Sequence, residues 1–105
     1  MLQHIVQFNL KPEVAAADRD WLFEQIKGMR KIPAVKRLQV GKLLEPREEW
    51  YKPRLTQEYQ WSVMIDFDNE DDLYVYQKSS HHEQIAGEIR KRVDGPLRIV
   101  DFVSQ

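Results

Sequence analysis

The chain has 105 residues, enough for one domain with a modest core and little stability to spare. Hydrophobic residues make up 42% and charged residues 31%, a globular balance, and a net charge of -1 gives no field that would draw the chain to nucleic acid or anionic lipid. Cysteine is absent, which excludes disulfides, thiolate metal sites and a cysteine nucleophile. With no basic leader and no apolar run of about 20 residues, the expectation is a cytoplasmic protein without a membrane span.

Leu2, His4, Val6 and Phe8 alternate with Gln3, Ile5, Gln7 and Asn9, the period of a half-buried strand. Pro12 ends it, because proline cannot donate to a ladder. Asp18 or a neighbour opens a helix in which Trp21, Leu22, Ile26 and Met29 recur at helical spacing. Lys31-Ile32-Pro33 stops it, since proline disfavours helix at the residue before it. Val35 to Leu44 predicts a second strand, with Gly41 marking a bulge or a close backbone approach.

Residues 45–60 form a long loop or arm carrying Pro46, Pro53, Trp50 and Tyr51. Loops of this length usually serve function or are ordered by a partner. For Trp50 and Tyr51 a dimer contact is favoured over a cover for a pocket mouth.

Trp61, Val63, Ile65 and Phe67 predict a third strand. Asn69 is a good N-cap, and Glu70, Asp71 and Asp72 suit the positive end of a helix. Leu73 and Tyr76 follow. Ser79-Ser80 interrupts, and His82, Ile85, Ala86, Ile89 and Val93 then share one helical face. Asp94-Gly95-Pro96 is a stop, and Leu97 to Val103 predicts the last strand.

The order β-α-β-arm-β-α-β predicts a single α+β domain over residues 1–105 with the ferredoxin-like βαββαβ arrangement. Both helices are expected on one face of a four-stranded antiparallel sheet. The other face keeps Ile5, Met64, Val100 and Phe102, and a homodimer is the natural cover for it.

Several short motifs in this order resemble the stress-responsive A/B barrel (Dabb) family. They are His4-Ile5-Val6-Gln7-Phe8 with Lys11, Ile32-Pro33-Ala34-Val35 with Leu38 and Gly41, Phe67 to Leu73 with Tyr76 and His82, and Asp101-Phe102. The resemblance covers nearly the whole chain except residues 45–60. It implies a homodimeric α/β barrel and a range of roles: plant heat-stable and stress-responsive proteins, bacterial proteins of undetermined activity, and polyketide cyclases such as olivetolic acid cyclase. It also implies that His4, Tyr76 and His82 match the histidine, tyrosine and histidine that line the cyclase pocket. A cofactor-free monooxygenase of the related antibiotic-biosynthesis type is a further alternative.

A His/His/Tyr set in an apolar pocket suits proton abstraction beside a carbonyl, as in aldol-type ring closure. A structural role stands beside this one. His4 also fits a core histidine bonded to Tyr76, His82 or a carbonyl, and Tyr76 a buried tyrosine tied to a neighbour. Trp21, Phe23, Trp61, Ile85 and Ile89 are expected near the same interior, as core or as walls for a small apolar or aromatic ligand. His81 and His82 are adjacent and diverge on a helix, and no carboxylate falls at third-ligand spacing. No metal site and no cofactor is therefore expected. Arg90-Lys91-Arg92 is expected on a solvated face near a helix C-terminus, and no phosphate loop or nucleic-acid-binding strand pattern is present.

Overall fold

The computed structural model describes all 105 residues. Its strands are β1 (Leu2–Phe8), β2 (Arg37–Lys42), β3 (Trp61–Phe67) and β4 (Arg98–Val103). Its helices are α1 (Ala16–Gly28), α2 (Glu70–Lys78) and α3 (Ser80–Arg92), with short 3-10 turns at Met29–Lys31 and Lys52–Arg54. The strands form one antiparallel sheet in the order β2-β3-β1-β4. This is the ferredoxin-like split βαβ arrangement, with β1 and β3 at the centre.

The register explains the alternation. Leu2, His4 and Phe8 of β1 and Val63, Ile65 and Phe67 of β3 are buried under the helices. Leu22 and Ile26 of α1, Leu73 and Tyr76 of α2, and Ile85 and Ile89 of α3 close the core from above. Gly41 stays in regular register opposite Ser62, so there is no bulge. A Cβ there would stand 3.2 Å from the Met64 methyl, so the glycine serves a close approach.

The helical layer differs from the two helices expected. Ser79 adopts an extended ψ of 143° and divides the second helix into α2 and α3. Its hydroxyl donates to the Tyr76 carbonyl (2.8 Å) and accepts from the His82 amide (3.1 Å), serving the end of one helix and the start of the next. Asn69 caps α2 as its side chain accepts from the Asp72 amide (2.9 Å).

The opposite sheet face carries Ile5, Met64, Val100 and Phe102, and Phe102 is 60% exposed. The chain is accordingly a slab of 41 × 38 × 20 Å with one bare apolar side. The arm returns to the sheet through Asn9, whose side chain donates to the Glu58 carbonyl (3.0 Å) and accepts from the Gln60 amide (2.9 Å). Trp50 and Tyr51 pack edge to face on it, with Trp50 67% exposed. No helix is long and apolar enough to cross a membrane.

Candidate functional site

His4 lies mid-strand on β1, with Ile65 of β3 on one side and Asp101 of β4 on the other. It is 2% exposed, the one buried polar or charged residue in the core. Its Nδ1 lies 2.5 Å from Asp101 Oδ1. A carboxylate only accepts, so Nδ1 carries the proton and donates it. In the neutral ring the lone pair is then on Nε2. That nitrogen makes no hydrogen bond, yet no buried side-chain polar atom lacks a partner. Nε2 is therefore reachable from the adjoining space.

Tyr76 and His82 complete the group. The rings of His4 and Tyr76 are 6.2 Å apart, those of Tyr76 and His82 are 4.5 Å apart, and Phe67 supports Tyr76 at 5.2 Å. The Tyr76 hydroxyl has the Met29 sulfur as its one hydrogen-bond partner (3.8 Å), a weak acceptor that leaves it free to turn to a ligand. Burial pushes the Tyr76 hydroxyl well above its usual range, so it stays a proton donor. His82 donates from Nδ1 to the Gln77 carbonyl (3.1 Å). Burial holds His82 below the usual histidine value, only partly opposed by that carbonyl, and the charges of His4 and Arg90 add to the lowering.

These three rings border a cavity of about 210 Å³ between sheet and helices. Val6, Met29, Val63, Ala86 and Ile89 supply apolar wall, and Gln77 and Arg90 stand with them. The volume is below the usual span of about 300–1,000 Å³ for ligand pockets, so only a small molecule fits. At about 20–30 Å³ per non-hydrogen group, from close packing to liquid spacing, the space holds roughly seven to ten such atoms.

The model of the stress-responsive A/B barrel domain matches residues 2–104. The chain belongs to this family. No curated protein matches the sequence. Among solved structures, this A/B barrel domain is similar to the Arabidopsis thaliana protein At3g17210, at 14% identity and a TM-score of 0.83 over 100% of this chain and 96% of that one. It is also similar to a hydroxynitrile lyase from Passiflora edulis, at 15% identity and a TM-score of 0.82 over 99% and 93%. A dimeric ferredoxin-like protein of unknown function from Thermobifida fusca matches at 20% identity and a TM-score of 0.78 over 98% and 90%. At such identities the likeness establishes the fold.

Within this A/B barrel domain the expected residues divide. His4, Tyr76 and His82 come together on one cavity, and Ile89 lines it. Trp21, Phe23, Trp61 and Ile85 do not. Trp21 precedes the buried Leu22 by one residue and so turns outward, 44% exposed, with the Arg92 guanidinium 5.0 Å over its ring. Phe23 and Trp61 pack together at 4.8 Å at the half-buried edge of the core. Ile85 is filled in on all sides as core.

The basic stretch also departs from a simple solvated face. Arg92 reaches back to Asp18 of α1 (2.8 Å) and to Glu88 (2.8 Å), which ties α1 to α3 and holds both carboxyls below the usual range. Asp101 and Arg90 are the site residues that sequence reasoning passed over. The one available signal was alternation in the last strand, which sets Asp101 on the same face as Ile99 and Val103.

Proposed function

We propose that this A/B barrel domain acts as a homodimer in which each protomer uses His4, Tyr76 and His82 to move a proton on a small, largely apolar carbonyl compound. The observation that carries the proposal is the His4–Asp101 hydrogen bond of 2.5 Å, which fixes the tautomer and leaves Nε2 facing the cavity. Nε2 takes a proton from the carbon beside the carbonyl. The Tyr76 hydroxyl, kept protonated by burial, donates to the carbonyl oxygen as negative charge develops there. His82, kept neutral by burial, is the second group able to accept or return the proton. The chemistry suits carbon–carbon bond formation or cleavage next to a carbonyl, the class to which aldol-type cyclisation belongs. The shared fold with a hydroxynitrile lyase supports a lyase or cyclase within this class.

The bare sheet face supports the homodimer, since Ile5, Val100 and Phe102 would otherwise stay wet. The dimeric Thermobifida fusca structure of the same fold supports it too. A cytoplasmic location accords with the cysteine-free sequence.

Acetophenone, with about nine non-hydrogen atoms, matches the estimated size of the cavity. Exchange of its methyl protons in deuterated buffer, followed by NMR, tests the reaction. The wild-type protein is expected to accelerate exchange, and His4→Ala and His82→Ala to slow it while remaining folded. Equal rates for wild type and the double variant would overturn the proposal.

A further inference from the structure

The cavity has one cation on its wall that the protein leaves unpaired. Arg90 follows the buried Ile89 in the last turn of α3. Its side chain folds back along the helix, with Nη2 3.8 Å from where a Cβ on Gly87 would stand. The guanidinium therefore lies toward His82 and not toward the helix end. Its neighbours behave otherwise. Lys91 pairs with Glu88 (3.1 Å), and Arg92 pairs with both Asp18 and Glu88. Arg90 has no ion pair and no hydrogen bond, and no aspartate or glutamate lines the cavity. A guanidinium is built to take two oxygens of one carboxylate in a planar fork. The remaining wall offers it nothing but apolar surface, the Gln77 amide and the aromatic group.

We infer that the ligand of this cavity is a small carboxylic acid bound as its anion, with the carboxylate on Arg90 and the apolar body against Val6, Met29, Val63 and Ile89. The inference rests on the proposed proton-transfer site and names its substrate class: a keto acid with roughly seven to ten non-hydrogen atoms, on the same volume per group. The carboxylate would sit at the mouth while the chain or ring reaches His4 at the floor. Arg90 is then the residue that sets specificity and orientation, and it takes no part in the proton transfer.

Hexanoate and 1-hexanol, matched in length and differing in charge, are suitable probes. Binding to the full-length protein is measured by calorimetry and by shifts of the histidine ring protons. Hexanoate is expected to bind at least about tenfold more tightly than hexanol, the scale of a charge-assisted hydrogen bond. Arg90→Gln is expected to erase that preference, Arg90→Lys to keep part of it, and Lys91→Gln to leave it whole. Because Arg90 is exposed, Arg90→Gln should keep the wild-type circular dichroism and melting temperature. Equal affinity for both probes, or a preference that survives Arg90→Gln, would overturn the carboxylate inference and leave the apolar cavity standing. Failure of both probes to bind would overturn the ligand site itself, and this inference with it.

Discussion

His4 and Asp101 stand directly opposite each other on neighbouring antiparallel strands, and their side chains meet at 2.5 Å across the β1–β4 ladder. One partner is almost fully buried and the other has 38% of its side chain exposed. The pair thus spans the boundary between core and solvent at the edge of the sheet. Asp101→Ala would leave a buried ring nitrogen without its acceptor. The expected cost is about 1–3 kcal/mol, read from urea unfolding. Asp101→Asn would keep the shape but allow the opposite tautomer, so the exchange rate should fall more than stability does.

Protonation of His82 is opposed in the folded state. Its folded value lies below the ordinary 6.5, so the unfolded chain binds more protons as pH drops. The contribution of this residue is expected to be fully present above pH 6.5 and to be lost as pH falls from there toward the folded value. Melting temperature against pH should therefore slope downward below about 6.5 in the wild type and slope less in His82→Gln.

Ser79 joins two helices by one hydroxyl, and both bonds end beside the site. Ser79→Ala should cost about 1 kcal/mol, the usual size of a lost N-cap. It should also broaden the His82 ring signals in NMR spectra, because the first turn of α3 would lose its anchor to Tyr76.

Phe67 is fully buried and touches both Tyr76 and His4 through its ring. Phe67→Ala should destabilise the fold by about 3–5 kcal/mol, the range for a buried phenylalanine. Domains of this size hold about 5–15 kcal/mol, so denaturant titration should show the unfolding midpoint fall steeply in the variant.

The bare sheet face gives a test of assembly. Phe102→Glu places a charge where the proposed partner sheet would pack. Light scattering at micromolar concentration should find dimer for the wild type and monomer for the variant. A wild-type monomer would remove the barrel.

The strands were legible because the pleat imposes a period of two, and burial on one side filters residues accordingly. Leu2, His4 and Phe8, and Val63, Ile65 and Phe67, carry that filter openly. Helix limits were legible at Asn69 and Pro33, where capping and proline act on the local backbone. Trp21 misled because its size resembles core while its position is one residue off the buried Leu22 stripe.

The amino-acid order alone thus dictated the α+β class, the element order and the inward side of His4, all of which follow from short-range periodicity. Strand pairing and helix docking settled the rest. His4 and Asp101 are 97 positions apart, and only the β1–β4 register makes them partners. Tyr76 and His82 would lie about 9 Å apart along one continuous helix, on different faces. The break at Ser79 turns α3 back so that their rings meet at 4.5 Å. Neither relation is local, so no pattern within a few residues could have revealed it.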